Sequence, residues 1–303
     1  MSRYASWGII LDDIIYPNGR SAMGMPGGGG LYAASGMRLW HKDVAICAAV
    51  GADFDPALVK PLGFDGSGLI VTDLPTPRAW QLLEENGRRT QIPRISHEAW
   101  FEQLVAIPHA QPIPPTLKAL HFLGRGDALE EPFVQSLVEA GVFLSAEPII
   151  GANSTADELA VLRRCLPHFT IFAPGAPDAA LLAGDGSPEE QLRALAAMGP
   201  RLVALRQGAA GSLLFDGENG RFYRIPAAPA NIVDVTGAGN AFCGGLLVGW
   251  HETGDIRRAA AMACVSAAMT IEQVGPVPID DAVMAEAERR ADGVMGQILE
   301  IGD

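Results

Sequence analysis

Short apolar runs alternate with amphipathic stretches along most of the chain, and this pattern predicts strands alternating with helices. The runs that predict strands cover residues 4–11, 43–50, 69–72, 90–95, 119–123, 142–146, 170–173 and 202–205. A helix is expected over residues 31–40, between the first two strands. Alternating strands and helices form a mostly parallel sheet that is covered on both faces. The pattern therefore predicts the α/β class.

Turn and cap signals define the second half of the chain. Residues 212–215 and 221–225 flank a Gly-rich turn and predict a hairpin. Capping boxes begin at Thr155 and Ser187, the second with Pro188 at the first helical position. The helices expected in the tail cover residues 240–250, 255–271 and 280–299. The Pro-rich stretch 107–115 is expected to form a loop.

Composition excludes several classes of protein. The 303 residues are 49% hydrophobic and 19% charged, which is typical of a folded chain and not of a disordered one. Without a repeat or a low-complexity linker, we expect a single domain over residues 1–303. Lys and Arg number 22 against 35 Asp and Glu, for a net charge of −13. This acidity argues against binding of nucleic acid, whose phosphates require a basic face.

The cysteines indicate a reducing compartment. The four cysteines are far apart in sequence and form no CxxC pair: Cys47, Cys165, Cys243 and Cys264. The start of the sequence does not resemble a secretory signal. Free thiols are therefore expected, together with a cytoplasmic location. The longest weakly polar run, residues 259–271, is too short to span a bilayer, so no membrane association is expected.

A Gly-rich turn before a predicted helix is the strongest candidate for chemistry. It contains Thr236, Gly237, Ala238, Gly239 and Asn240. Glycine lets the backbone approach a ligand, and the first N–H groups of a helix lack internal partners and face the positive end of its dipole. Such a turn suits a phosphate group. The alternative is a tight turn that serves only helix packing.

Two carboxylates and a run of four glycines lie near the amino terminus. Asp12 and Asp13 follow the first apolar run, where they could bind a ligand or simply be solvated at a strand end. Residues 27–30 are all glycine. The chain contains no Walker loop, and its six histidines lack metal-ligand spacing such as HExxH.

Taken together, these segments resemble the signatures of the PfkB/ribokinase-like carbohydrate kinases. Residues 234–240 resemble the family motif Asp-Thr-x-Gly-Ala-Gly-Asp, residues 8–12 resemble its opening strand, and residues 27–34 resemble its Gly-Gly signature. The resemblance implies a three-layer α/β/α fold with a small β lid from about 13–27 and 69–95. It also implies that the protein transfers phosphate from ATP to an alcohol group of a sugar-like or nucleoside-like molecule.

The resemblance assigns roles to individual positions. Substrate contacts are implied for Asp12, Gly28, Gly29, Gly30 and Tyr32. Nucleotide contacts are implied for Arg206, Gly208, Gly211, Thr236 and Gly275. Catalytic roles are implied for Gly237, Ala238, Gly239 and Asn240. The cofactors implied are Mg²⁺ and an alkali-metal ion, for which K⁺ is the candidate, and family members often form homodimers through the lid.

Three positions depart from the family pattern. Asn240 stands where the family has the Asp that acts as general base, and an amide does not accept a proton near pH 7. It could orient a hydroxyl while Asp12, Asp13 or water takes the proton. Tyr32 replaces an Asn that faces the sugar, and it could stack on a ring or close a smaller pocket. Asp178 replaces the Glu of a segment that organises Mg²⁺, which leaves the metal ligands unknown.

These departures leave two functions open besides an active kinase. The first is a catalytically impaired relative that binds a nucleotide or sugar and regulates a partner. The second is a nicotinamide-binding Rossmann protein, which the spacing of residues 24–30 disfavours because no clean G-x-G-x-x-G is present.

Overall fold

Two β-sheets organise the computed structural model, which describes residues 2–85, 89–110, 113–125, 130–151 and 153–302. The strands are β1 Tyr4–Trp7, β2 Ile10–Ile15, β3 Ser21–Gly27, β4 Val44–Gly51, β5 Leu69–Thr72, β6 Arg78–Leu83, β7 Arg89–Pro93, β8 Ala119–Gly124, β9 Phe143–Pro148, β10 Ile171–Phe172, β11 Leu202–Arg206, β12 Ser212–Asp216, β13 Arg221–Ile225 and β14 Leu299–Ile301.

Helices connect most of these strands. They are α1 Gly29–Arg38, α2 His97–Phe101, α3 Ile107–His109, α4 Glu131–Glu139, α5 Ala156–Cys165, α6 Ala176–Ala183, α7 Pro188–Ala196, α8 Ala238–Thr253, α9 Ile256–Ile271 and α10 Asp281–Met295. A π-helical segment, Glu102–Ala106, joins α2 to α3. None of the helices in the described ranges is both long and apolar enough to cross a membrane.

The large sheet has the order β14-β13-β12-β11-β10-β9-β8-β1-β4-β5. Its strands from β11 to β5 pair in parallel, whereas β12, β13 and β14 add an antiparallel edge. Because parallel strands all end at the same edge, the carboxyl ends of β8, β9 and β11 lie together there. Ligands of open α/β sheets bind at this carboxyl edge.

Apolar side chains bury both faces of the large sheet. On one face, helices α4 to α7 pack on the sheet through residues such as Leu137, Leu162 and Leu195. On the other face, α1, α8, α9 and α10 contribute residues such as Met37, Leu246 and Val265. The four cysteines are free and buried in these layers, as expected. The arrangement confirms the predicted α/β/α class.

The small sheet has the order β3-β2-β6-β7 and differs from the expected lid in its boundaries. The family resemblance implies a lid from about 13–27 and 69–95, but β5 pairs with β4 in the large sheet. The expected strand 4–11 is also wrong, because the chain leaves the large sheet at Gly8 and enters the small one at Ile10. Gly8 has a φ of 101°, which breaks the strand, while apolar residues continue on both sides.

Some of the other predicted helix boundaries and turns are confirmed, and others differ from the structure. Both capping boxes form at Thr155 and Ser187, and the hairpin of β12 and β13 is confirmed. The last helix ends at Met295, because Leu299 begins a strand that pairs with β13. The Pro-rich stretch is helical over Ile107–His109, where Pro108 continues from the preceding π-helical turn; residues 111 and 112 of that stretch lie outside the described ranges.

Candidate active site

A cleft of about 460 Å³ separates the small sheet from the carboxyl edge of the large one. The small sheet contributes Asp12 and Gln81 to its lining. The large sheet contributes Glu147 at the end of β9 and Arg206 at the end of β11, and Asn240 lies opposite them on α8. The fold thus brings together predicted residues that are more than 200 positions apart in sequence.

Asp12 lies in β2 and is 2% exposed. Its Oδ1 accepts a hydrogen bond from Gln81 Nε2 at 2.7 Å. Burial disfavours the charged carboxylate more than its hydrogen bonds with Gln81 and Gly28 favour it, and this raises the pKa of Asp12 to about 6. Asp12 is therefore a buried, weakly compensated acceptor at the predicted substrate end of the cleft.

Asp13 is positioned quite differently, although it is the next residue. Its carboxylate accepts two hydrogen bonds of 2.7 Å from Arg78, one of 2.8 Å from the N–H of Gly24, and another from Arg94. The hydrogen bond from Arg78 is the largest cause that lowers the pKa of Asp13, to about 2. The structure disfavours Asp13 as the group that takes the proton of the substrate, because its carboxylate pairs with Arg78 and Arg94 and is absent from the cleft lining.

The glycine run forms the turn into α1 and lets two elements approach each other closely. Gly28, Gly29 and Gly30 all line the cleft. A Cβ at Gly29 would lie 2.9 Å from Asn240 Nδ2 and 2.8 Å from a Leu123 methyl group, closer than carbon and nitrogen atoms pack. Glycine here thus gives Asn240 its place beside the substrate loop.

The ring of Tyr32 occupies the space that a side chain at position 237 would need. Gly237 is the N-cap of α8 with a φ of 80°, and a Cβ there would lie 2.1 Å from the ring of Tyr32. The ring fills the space beside the turn and is 2% exposed, while burial raises the pKa of its phenol. Of the two roles expected for Tyr32, the structure favours closing the pocket, because the ring packs on protein backbone.

Asp234 shapes the turn before α8. Its Oδ1 accepts from the N–H of Thr236 at 2.9 Å, and its Oδ2 accepts from the Tyr16 hydroxyl at 3.1 Å. The N–H groups of Gly239 and Asn240 fall in the first turn of α8, where a helix offers them no acceptor. These groups and the helix dipole make the turn suitable for an anion.

Glu147 is the principal residue that the sequence reasoning missed. It is 4% exposed, and its Oε1 accepts from Asn240 Nδ2 at 2.5 Å while its Oε2 accepts from Arg206 Nη1 at 2.6 Å. Burial opposes its ionisation, but the charge of Arg206 and the hydrogen bonds from His121 and Asn240 outweigh burial and lower the pKa of Glu147 to about 2. The cleft therefore contains a fixed carboxylate beside Asn240.

A sequence signal for Glu147 did exist. The strand predicted over residues 142–146 stops one residue before it, so Glu147 is a carboxylate at the carboxyl end of an apolar run. The same signal draws attention to Asp12. His121 is buried beside Glu147, with Nδ1 2.8 Å from Ser145 Oγ, so this histidine belongs to the site although its sequence context indicates nothing.

Several polar atoms of the cleft are buried without a partner in the described structure. They are Gln81 Oε1, Thr236 Oγ1 and Arg206 Nε. Buried polar groups nearly always form hydrogen bonds, and leaving one unpaired costs about 1–3 kcal/mol. The cleft therefore contains several polar groups whose burial is not compensated by a hydrogen bond.

Three of the predicted nucleotide contacts lie outside the cleft lining. Gly208 and Gly211 bracket a short exposed turn after β11, and Gly275 is buried against Met25 of the small sheet. The turn with Gly208 and Gly211 follows Arg206 at the carboxyl edge. The nucleotide roles of these three glycines stay predictions.

Two groups of donor atoms could in principle approach a metal ion. Donor atoms of His121, Glu147 and Cys243 lie within 4.8 Å of one another. Both oxygens of that carboxylate already accept hydrogen bonds, one of them from a cationic guanidinium, so the cluster is an ion-pair network and a poor metal site. Asp178 lines the cleft, and the N–H of Gly175 donates to its Oδ2 at 3.1 Å, so its Oδ1 is not used by that bond.

Part of the cleft lining is apolar and aromatic. It includes Trp7, Trp100, Leu104 and Phe122, together with Ile10 of β2. Trp100 is 8% exposed and packs with Ile10 in a small apolar cluster. The cleft thus joins a polar end, suited to hydroxyl and phosphate groups, to a wall suited to a flat apolar group.

Kinases of nucleosides and sugars are similar to this chain in sequence and in fold. The chain is 27% identical over 257 residues to a cytidine kinase of Thermococcus kodakarensis, covering 80% of this chain and 86% of the relative. The fold resembles a Burkholderia thailandensis nucleoside kinase in complex with inosine, with a TM-score of 0.77, 22% identity and coverage of 97% and 98% of the two chains.

A further structural neighbour is a putative ribokinase II of E. coli in complex with ATP and Mg²⁺, with a TM-score of 0.78, 19% identity, and coverage of 97% of this chain and 100% of that one. Residues 17–282 match the model of the family described as pfkB family carbohydrate kinase. Since the match spans most of the chain and includes β3, β6 and β7 of the small sheet, the glycine turn and the α8 turn, the chain belongs to the pfkB family of carbohydrate kinases.

Proposed function

We propose that this pfkB-family phosphotransferase transfers the γ-phosphoryl group of ATP to a hydroxyl group of a nucleoside-like acceptor. The observation that carries the choice of acceptor is the aromatic wall of Trp7, Trp100 and Phe122 in the cleft that Asp12 also lines. A simple sugar has no extended flat apolar group that could cover all three side chains. A nucleoside places a flat base on the wall and a ribose on the polar end.

The ribose would be held by acceptors on the small sheet. Asp12 and the unpaired Gln81 Oε1 can each accept a hydrogen bond from a ribose hydroxyl. A site built around such bonds rejects analogues that lack the hydroxyl, because its buried acceptors are then left unpaired. The two residues therefore provide both affinity and orientation.

Phosphoryl transfer follows from the placement of the α8 turn. The acceptor oxygen forms a bond to the γ-phosphorus, the bond from that phosphorus to the β–γ bridging oxygen breaks, and ADP leaves with the electron pair. The first-turn N–H groups and Arg206 face the charge on the transferring group. The hydroxyl first donates a hydrogen bond to Asn240 Oδ1, and its proton then passes to an oxygen of the transferred phosphate, since an amide does not retain a proton.

Asp178 fits a magnesium ion of the ATP complex. Mg²⁺ usually keeps several waters and uses one or two carboxylates together with the substrate phosphates. Asp178 would hold it through a coordinated water, and the ion would neutralise charge on the β- and γ-phosphates. Activation by K⁺ is a further part of the proposal, and it predicts higher turnover in potassium than in choline salts.

A panel of acceptors tests this function. Purified protein with ATP and Mg²⁺ should phosphorylate cytidine or inosine with a catalytic efficiency, kcat/KM, roughly tenfold or more above that for ribose, fructose or fructoselysine. Trp100→Ala should raise the KM for the nucleoside about tenfold and leave kcat nearly unchanged, because an aromatic stacking partner contributes on the order of 1–3 kcal/mol per base. A sugar with the highest kcat/KM would contradict the nucleoside assignment.

Asn240 favours a second candidate, in which the protein binds nucleotide or nucleoside but regulates a partner without catalysis. In that case ATP and cytidine should each raise the unfolding temperature while no ADP is formed with any acceptor. Kinases typically turn over about 1–100 times per second. Sustained ADP formation with any acceptor, even at about a tenth of the slowest of these rates, would exclude the regulatory candidate.

A further inference from the structure

We propose that Glu147 is the positioning residue for Asn240, and that the two side chains together replace the single aspartate that the family has at position 240. This inference rests on the proposed phosphotransfer. It assigns Glu147 to the reaction and explains how a chain with an amide at position 240 can retain the activity.

The first argument is the orientation of the amide. A carboxylate has only acceptors, so the contact of 2.5 Å between Asn240 and Glu147 Oε1 requires the amide to present its Nδ2 there. The carbonyl oxygen, Oδ1, is then directed elsewhere on a residue that lines the cleft. Glu147 thereby turns Asn240 into a fixed acceptor for the substrate hydroxyl.

The second argument is that Glu147 is itself held in place. Arg206 Nη1 donates to Oε2 at 2.6 Å, and His121 Nε2 lies 3.3 Å from Oε1. Cys243 and Asp178 are the other titratable groups that face this carboxylate. Both oxygens of Glu147 thus meet donors, and its negative charge is paired with the Arg206 guanidinium next to position 240.

The third argument is that donors and acceptors match in only two arrangements. Glu147 with Asn240 satisfies both Arg206 and the amide. Exchanging the two functional groups through Glu147→Gln and Asn240→Asp together also satisfies the contacts with Arg206 and with position 240, because the new amide donates to the new carboxylate and accepts from Arg206. Two carboxylates or two amides do not match, since either two acceptors or two donors must then face each other.

Restoring the family aspartate alone should therefore fail. In Asn240→Asp the new carboxylate would face Glu147 across the distance of a hydrogen bond, and two such groups must share a proton to coexist. A shared proton leaves no free base. If the missing base were the only defect, the same substitution would raise turnover by about 10²–10⁴-fold.

The experiment measures kcat and KM for ATP and cytidine in the wild type, Glu147→Gln, Asn240→Asp and the double variant. We expect kcat to fall about 100-fold in Glu147→Gln and roughly tenfold or more in Asn240→Asp, with KM values within about threefold of the wild type, as for losses of transition-state positioning. The double variant should recover to within about tenfold of the wild type. Glu139→Gln, the same change on the exposed surface of α4, should have no effect.

If Glu147 had only a structural role, the double variant would not regain kcat. Recovery of kcat in the double variant therefore distinguishes positioning of Asn240 from a structural role. Each protein is also unfolded thermally, so that loss of fold is distinguished from loss of positioning. An increase of about tenfold or more in Asn240→Asp, or a double variant no better than the weaker single one, would overturn the proposal.

The proposed function can fail separately. If the wild type phosphorylates no nucleoside or sugar, that function is wrong, and the rise in unfolding temperature caused by cytidine in the four proteins decides the pairing. A rise lost in both single variants and regained in the double one supports it. Equal rises in all four proteins overturn it.

Discussion

Asp12 and Glu147 are both buried carboxylates of one cleft, yet their surroundings push them in opposite directions. Asp12 is 2% exposed and accepts one side-chain hydrogen bond from an amide, and its pKa rises to about 6. Glu147 is 4% exposed and contacts a guanidinium, an amide and an imidazole, and its pKa falls to about 2. Similar burial therefore produces opposite protonation preferences.

The difference indicates that the two carboxylates have different roles in the cleft. Glu147 has both oxygens engaged by the protein, so it can orient other groups but has little capacity left for a ligand. Asp12 can accept further hydrogen bonds, and its burial makes the charged carboxylate unfavourable. A ligand that donated a hydrogen bond to Asp12 would lower the free energy of the charged form. In the proposed function the small sheet thus supplies the binding group, and the large sheet holds Glu147 in a fixed set of charged and polar contacts.

Removing the charge of Asp12 should have the largest effect. We expect Asp12→Asn to lower kcat/KM for the nucleoside by about 10³-fold, because a site that loses its partner for a substrate hydroxyl is strongly impaired. Steady-state kinetics with ATP in excess would measure it. A loss below about tenfold would mean that Asp12 does not contact the acceptor.

The pH dependence of stability should sharpen the contrast. The pKa of Asp12 is raised from 3.8 to about 6, so the unfolded chain loses this proton before the folded protein does as pH rises. The free energy of unfolding should then fall by about 3 kcal/mol between about pH 4 and pH 6, since one pKa unit is worth about 1.4 kcal/mol. Urea unfolding of wild type and Asp12→Asn across this range isolates the contribution, and parallel curves would contradict it.

Asp13 offers a matched control one residue away. Asp13→Asn should lower the free energy of unfolding by about 2 kcal/mol, because Arg78 and Arg94 lose a buried charged partner. Activity per folded molecule should stay within about threefold of the wild type. Denaturant unfolding and kinetics on the same sample measure both, and a strong loss of kcat would place Asp13 in the reaction after all.

Expressed as a free energy, the effect of Gly29→Ala should be the smallest of the four, since a tenfold change in rate corresponds to about 1.4 kcal/mol. The added Cβ would lie 2.9 Å from Asn240 Nδ2 and must displace it from Glu147 by a few tenths of an ångström. We expect kcat to fall about tenfold with KM little changed, as for small misplacements of a reacting group. Gly293→Ala on α10, where a Cβ meets open space, is the control.

Local pattern predicted much of this molecule. The alternation of strands and helices, the capping boxes at Thr155 and Ser187, and the Gly-rich turn at Gly237 all depend on neighbouring residues, and none of them requires knowledge of a tertiary contact. Asp12 belongs with them, since a carboxylate at the end of an apolar run is a local signal. These features follow from backbone propensity and hydrophobic period.

The tertiary structure alone decided how the carboxylates divide their roles. Side chains of adjacent strand residues point to opposite faces, but only the pairing of β2 with β6 determined that Asp12 faces the cleft while Asp13 meets Arg78. Likewise, Glu147 and Asn240 are 93 residues apart and meet because β9 and α8 converge at the carboxyl edge. A hydrogen bond between distant segments leaves no periodic trace in sequence, so the substitute for the missing aspartate became visible only in the fold.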